Sequence, residues 1–425
     1  MSDYRDQVTP RRRAARWRRT AGGLLAAVCA TAAVTPLHAA PAQAAISNTA
    51  AFTMTWTPDS AAGYVNMVKA SMTAVIDDGL YGLVYRGTQC DDAKGSAAVI
   101  DWYCFDDVDA SSWKDPEVGN AWVPQGMTTT SDMNMDETWN GRSASIVGWY
   151  HGAPGDADGP NGIRISVINW ATGEYRHVLL VDAFGTSPAG YSPIKIHAGG
   201  LLWYGRYLYV PDTANGIRVF SLDYIYDLGA STNGTTSCSY IGLQNGTYCA
   251  AQYKYVIPQI GYWKVSSPAA SADFCNPDSG KARFSYLAVD RPNDPDRLIV
   301  GEFCESTKSV PGRLAAYPMA SAVPGAGSTL SPSWVKNLPS RQIQGAATNG
   351  IYWYFNKSNG HNNGSLLQTT ETSTTFTLGA SRATPIGPED LSFWRSTGQL
   401  WSVSEYYQNA TPTYGRMIYS MPTNF

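Results

Sequence analysis

From about residue 120 onward the apolar positions of the chain recur at every second residue, in short runs bounded by Gly, Asn, Asp and Pro. That is the period of half-buried strands, not of helices. The stretch KIHAGGLLWYGRYLYVPDTANGIRVFSLD, residues 195–223, reads as a hairpin turned at YGR and a third strand after TANG. Four other stretches repeat its order: QGMTTTSDM to SASIVGWYHG, FSYLAVDRPNDPDRLIVGEFCE, QGAATNGIYWYFNKSNG and PEDLSFWRSTGQLWSVSEY. Each opens on one or two polar residues, runs as a small-residue apolar strand, turns, returns as an aromatic-rich strand and ends on acidic or amide groups. GIRISVINW and GIRVFSLD supply third strands after Asn-containing turns. Repeats of this kind predict the blades of an all-β propeller. Five blades are visible, opening near Gln125, His197, Phe284, Gln344 and Pro388, and five to seven fit the irregular spacing. A two-sheet sandwich is the structural alternative. Ahead of the repeats, SAAGYVNMVKASMTAVIDDG has helical spacing and predicts a helix over residues 60–79, capped by Ser60. Residues 45–119 are therefore expected to pack on or close a propeller formed by residues 120–425.

Composition agrees with an all-β chain: 40 Gly, 26 Tyr and 14 Trp suit short strands linked by turns. The first 44 residues differ, with RRRAARWRR, then the apolar GGLLAAVCATAAV, then AQA. They read as an export signal cleaved after Ala44, with Arg18-Arg19 leaving both the general and the twin-arginine routes open. The signal holds 7 of the 31 Lys and Arg and 2 of the 34 Asp and Glu, leaving 24 against 32, a net charge of −8. That balance argues against nucleic acid or an anionic membrane as partner, and a secreted monomer is expected. Cys29 leaves with the signal, and six cysteines remain, an even number that suits an oxidising compartment. Fifteen pairings exist, and sequence proximity favours Cys90–Cys104, Cys238–Cys249 and Cys275–Cys304. No C-x-x-C, H-E-x-x-H, G-x-S-x-G or Gly-rich phosphate loop occurs.

Candidate chemistry follows from the repeats. The innermost strands of a propeller all start at one mouth of its channel, so Gln125, His197, Gln344 and Glu389 should form a ring there. His151, at the end of the first copy's second strand, occupies the place where later copies carry Asp212 and Glu405. His177 alternates with apolar residues and is expected on an exposed strand face, and His361 in a solvated loop. GDADGPNG sets Asp156, Asp158 and Asn161 on a turn; it lacks the full spacing of a calcium loop and reads as solvated, a structural calcium being the alternative. No metal or other cofactor is otherwise required. Trp122, Trp149, Tyr150, Trp203, Tyr204, Trp353 and Tyr354 could stack on sugar rings near the mouth or pack between blades.

Over residues 120–420 the chain resembles secreted β-propeller proteins, without the WD, kelch or Asp-box signatures of particular repeat families. By fold, compartment and residue inventory it loosely resembles β-propeller polysaccharide lyases of the rhamnose–glucuronate type, which implies His and Tyr chemistry on a uronate-containing glycan. β-Elimination needs a base, an acid and groups that neutralise the uronate carboxylate. His197, Tyr150 and His151 are the catalytic candidates; Gln125, Arg142, Arg206, Trp203, Tyr204, Gln344 and Glu389 are the substrate-binding ones. Hydrolysis would instead draw two carboxylates from Glu389, Asp390, Glu405 and Asp212. A calcium-dependent lactonase or esterase and a non-catalytic glycan-binding propeller are the alternatives.

Overall fold

The strand pattern closes into a ring. The computed structural model describes residues 49–79, 81–84, 90, 98–105, 122–152, 161–360, 362–405 and 417–425, so the signal, Asp156, Asp158 and His361 lie outside the described residues. Five blades are built from them. Blade 1 comprises Trp122–Thr129, Ala144–His151, Ile163–Asn169 and Glu174–Phe184. Blade 2 comprises Leu202–Tyr204, Tyr207–Asp212, Gly216–Ser221 and the second half of Tyr255–Val265, with Met54–Pro58 added outside. Blade 3 is Tyr286–Asp290, Arg297–Gly301, Arg313–Pro318 and Trp334–Asn337; blade 4 is Ile343–Thr348, Trp353–Asn359, Asn362–Glu371 and Phe376–Ile386. Blade 5 takes Pro388–Trp394, Gln399–Ser404 and Met417–Pro422 from the end of the chain and Asp101–Cys104 from near its start. That last pairing closes the ring with two segments distant in sequence, and the Cys90–Cys104 disulfide holds the end of the closing strand.

Alternation explains why the blades stack. Within one strand, successive side chains face opposite neighbours. In blade 1, Trp122 and Trp149 pack toward Trp394, Trp401 and Val403 of blade 5, whereas Val123 and Tyr150 pack toward Leu201, Trp203 and Leu208 of blade 2. The other three seams are filled in the same way: Leu202 and Tyr209 against Leu287 and Tyr317, Ile299 and Leu314 against Ile343 and Phe355, and Tyr354 and Leu366 against Leu391 and Tyr419. The core is thus five apolar seams around a narrow axis. Glycine permits that narrowness: a Cβ on Gly200 would stand 2.6 Å from backbone atoms of Tyr286 and Leu287, and one on Gly345 would stand 2.8 Å from the backbone of Asp390.

All three favoured disulfides form. The helix expected over residues 60–79 does not. The chain makes a 3-10 turn at Ala61–Tyr64, becomes extended at Val65, pairs Lys69–Ala70 with Ile225 and Tyr226, and is helical only over Met72–Asp77. Ser71, not Ser60, is the cap; its hydroxyl accepts from the Ala74 amide at 3.1 Å. Pairing with the strand Ile225–Asp227 overrides a local helical pattern that Gly63 and Val65 already weaken.

Candidate functional site

One end of the channel is stoppered. The short helix Thr130–Met133 follows the innermost strand of blade 1 and is tied across the axis. Asp132 accepts from Thr128 at 2.8 Å and from Ser392 of blade 5 at 2.6 Å, and the Arg291 guanidinium of blade 3 donates to the Asp132 carbonyl at 2.7 Å. Arg395 of blade 5 donates to the carbonyls of Ser131 and Asn134.

At the opposite mouth the innermost strands begin, and three of them begin with the same irregularity. A β-bulge falls between Pro124 and Gly126, between Ile343 and Gly345, and between Pro388 and Leu391. Gln125, Gln344 and the pair Glu389–Asp390 are the residues these bulges leave out of register. A bulge re-aims side chains without ending the strand, and here it does so at matching positions in blades 1, 4 and 5. The Gln344 amide donates to Glu389 Oε1 at 3.1 Å. Gln125 is buried, and neither polar atom of its side chain meets a partner among the described residues. Asp390 has become a strut across three blades, accepting from the amides of Leu201 at 2.9 Å, Leu391 at 3.1 Å and Met127 at 3.4 Å.

Glu389 is fully buried, and its Oε2 has no partner among the described residues. Burial, then the negative charges of Glu405 and Asp390, push its pKa well above the usual glutamate range, and it shares a hydrogen bond with Glu405. The fold therefore favours the protonated carboxyl. Its contribution to stability is complete below the ordinary glutamate pKa and is lost as pH rises from there through the raised value. Glu389→Gln should accordingly raise the unfolding free energy at neutral and alkaline pH, on the order of 1–3 kcal/mol, and flatten its decline with pH. Urea titrations at a series of pH values measure this; parallel curves for the two proteins would contradict it.

His197 stands on the linker entering blade 2. It is half-buried, its ring 4.6 Å from that of Tyr150 and tilted by 33°. The next residue, Ala198, has a φ of 49°, in the left-handed region that costs a residue with a Cβ, and Gly199 follows because a Cβ there would meet the Ser285 carbonyl at 2.3 Å. Burial, reinforced by the charge of Arg283, lowers the His197 pKa to about 4, so the imidazole is neutral at ordinary pH. Tyr150 is wholly buried and forms the platform under the ring. His151 is buried against Trp122 at 4.9 Å, its Nδ1 without a partner among the described residues, and its pKa is lowered by burial and then by Arg164.

The mouth therefore gathers Gln125, Tyr150, His151, His197, Gln344 and Glu389. The other candidates go elsewhere. Arg142, Arg206, Trp203 and Tyr204 belong to the hairpin ends of blades 1 and 2, the far end from His197. Arg142 is paired with Asp77 and Arg206 with Asp223, both at 2.6 Å. Trp203 is buried and donates to the Gly205 carbonyl at 2.9 Å, and the Tyr204 hydroxyl donates to Asp296 at 2.8 Å. Trp122, Trp149, Trp353 and Tyr354 are buried in the seams, so blade packing takes the aromatics offered for sugar stacking. His177 is also buried, not exposed: its Nδ1 lies 2.9 Å from the Ser166 hydroxyl, and Tyr81 packs on its ring at 4.3 Å. Its strand is an outer one, but Tyr81 and Tyr253 cover it. Of the remaining carboxylates, Asp212 is buried and held by Arg218 at 3.0 Å and Asn215 at 2.8 Å. Among the described residues no group of three or more His, Cys, Asp or Glu is arranged to hold a metal.

Two mouth residues escaped the sequence reading. Glu302 follows the second strand of blade 3, the position of His151, Asp212 and Glu405 in the other blades, and the repeat alignment could have found it. Arg283 immediately precedes Phe284, where the third copy begins, so it is that copy's polar opening residue.

Fold and mouth together define a five-bladed β-propeller with one stoppered end and one polar axial mouth. No protein-family model matches the chain, and no curated protein sequence does. Among solved structures, it is similar to the PQQ-bound aldose sugar dehydrogenase of Streptomyces coelicolor, at 11% identity over 70% of this chain and 94% of that one, with a TM-score of 0.32. It is similar also to a Thermus thermophilus glucose dehydrogenase, at 9% identity over 71% and 98% of the two chains, with a TM-score of 0.32. The Dos1 propeller aligns at 9% identity over 67% and 69%, with a TM-score of 0.28. Nothing of their substrates or cofactors is carried over, and the propeller described here rests on its own strand pairing.

Proposed function

We propose that the protein is an exported carbohydrate-active enzyme, a polysaccharide lyase that cleaves a uronate-containing glycan by β-elimination at the His197 mouth. Export is supported by the character of the first 44 residues and by three disulfides. The observation that carries the chemistry is a contrast in exposure. His197 keeps part of its surface exposed and is neutral, whereas Glu389 and Glu405 are buried and Asp390 and Asp212 are consumed by backbone and side-chain donors. A hydrolase needs two carboxyl groups able to reach the glycosidic bond, and none of these is presented that way.

In the elimination, His197 takes the proton beside the uronate carboxylate. The C–H electrons form the ring double bond, the glycosidic C–O bond breaks, and the imidazolium returns its proton to the leaving oxygen. A pKa near 4 makes the free imidazole a weak base, but an anionic substrate alongside raises it toward the ordinary histidine value. Tyr150 acts as the platform that orients the ring, since its burial keeps it from the substrate. The partner is thus an acidic polysaccharide, with no cofactor needed.

The test is incubation of the purified protein with a panel of uronate-bearing polysaccharides, following the ultraviolet absorbance of unsaturated uronate and new reducing ends in parallel. A rise in both supports elimination. Reducing ends without absorbance would replace it with hydrolysis, and silence in both with glycan binding alone.

A further inference from the structure

Arg283 has a setting that the proton transfers above leave unused. Phe274 and Cys275 are adjacent in the chain, as are Phe303 and Cys304, and the Cys275–Cys304 disulfide ties the two pairs together. The Arg283 guanidinium lies over both phenyl rings, 5.1 Å from the centroid of Phe274 and 5.2 Å from that of Phe303. Its peptide amide is anchored on Glu302 Oε1 at 2.9 Å, and Glu302 is itself fixed by Arg313. The guanidinium, by contrast, is poorly paired. Nη1 donates to the Phe303 carbonyl at 3.0 Å, and among the described residues Nε is buried with no acceptor and the carboxylate paired with the guanidinium, on the exposed Glu305, stands 3.8 Å away. A guanidinium has five donors in a rigid fork that matches a carboxylate. Here the side chain is a fifth exposed, and its fork is short of acceptors among the described residues.

Its position relates it to His197. Ser285, two residues after Arg283, touches Gly199, two residues after His197, and the Arg283 charge is felt by the imidazole. We propose that Arg283, held in the disulfide-tied phenylalanine clamp, is the residue that recognises the carboxylate of a uronate bound at this mouth. This rests on the elimination reading and adds to it the specificity for acid over neutral sugar. Arg142 and Arg206 cannot take that part, because they are ion-paired at the far end of the blades. The clamp also gives the disulfide a role at the site: with Cys275 and Cys304 unlinked, Phe274 and Phe303 are no longer tied together beside the guanidinium.

The test compares binding of a glucuronate-containing oligosaccharide with that of its carboxyl-reduced counterpart, by calorimetry, to the wild-type chain, Arg283→Lys and Cys275→Ser/Cys304→Ser. The wild-type protein should prefer the acidic oligosaccharide. Arg283→Lys, which keeps the charge and loses the fork, should weaken acid binding roughly ten- to a hundredfold and leave the reduced sugar unaffected. The double serine variant should lose part of the same preference. Thermal unfolding checks that each variant is folded; Arg283→Met, should it fold, would lose the preference entirely. Equal binding of the two oligosaccharides by the wild-type protein, or an unchanged preference in Arg283→Lys, overturns the proposal. The elimination reading is judged separately, by the unsaturated product formed by the wild-type protein, and survives either of those results.

Discussion

His197→Ala should lower kcat/KM for elimination by about two to four orders of magnitude, the usual share of a positioned general base. The ring is partly exposed and rests on Tyr150, so the fold should lose about 1 kcal/mol. Two pH signatures accompany the loss. On the elimination proposal, the rate of the wild-type protein should fall as pH drops through about 4 in kcat/KM, the value for the free imidazole, and at higher pH in kcat, where a bound anionic substrate would raise it. The second concerns stability. The histidine pKa drops from 6.5 in the unfolded chain to about 4 in the fold, so the unfolded state binds the extra proton first. The fold is therefore penalised as pH falls from 6.5 toward 4, and the alanine variant should be relieved of that penalty. A folded variant with full activity would sink the assignment of His197 as base.

Arg313→Met should have the largest effect on stability, costing about 3–5 kcal/mol, because it strands a buried carboxylate. Arg313 and Glu302 are almost completely enclosed and meet through two bonds of 2.8 Å, a bidentate pair. Arg313 also donates to the carbonyls of Lys281 at 2.8 Å and Gly280 at 3.2 Å, and its guanidinium lies over the ring of Phe52 at 4.8 Å. Methionine fills much of the volume but leaves Glu302 and both carbonyls unanswered. Adding Glu302→Gln should recover part of the loss, since the stranded charge is then gone. Urea unfolding of the two single variants and the double one measures the coupling. A double variant no more stable than Arg313→Met would mean that the carboxylate charge is not the source of the cost.

The repeat order carried the most information in the sequence. It gave five blades, and because equivalent strand starts meet at one mouth it brought Gln125, His197, Gln344 and Glu389 to the same end of the channel. The disulfides were legible for a different reason: each joins cysteines close in sequence. What failed was direction along the blade. Trp203, Tyr204 and Arg206 follow His197 by only a few residues, but an innermost strand crosses the whole channel in that distance, so sequence proximity became spatial separation. The bulges left no clear mark in advance, since Gln-Gly occurs at two of them and Glu-Asp at the third. His177 was misjudged because alternation says which side of its own sheet a residue faces, not whether aromatic side chains from other segments will cover that side.

The strand Tyr255–Val265 has a consequence for motion. Its first half pairs in parallel with Val178–Val181 of blade 1, and its second half pairs with blade 2, so backbone hydrogen bonds run unbroken from one blade into the next. The seam between blades 2 and 3 is also bridged, since Met54–Pro58 at the edge of blade 2 pairs with Thr329–Leu330 of the blade 3 segment; among the described residues the remaining three seams are joined through side chains and scattered contacts. Blades 1 and 2 thus move as one plate, and His197, carried on the linker between them, rides with its Tyr150 platform at fixed spacing. Arg283 enters from blade 3, which a two-residue ladder joins to that plate at its outer edge, so the imidazole and the guanidinium are carried on backbone hydrogen-bonded from blade 1 into the blade 3 segment.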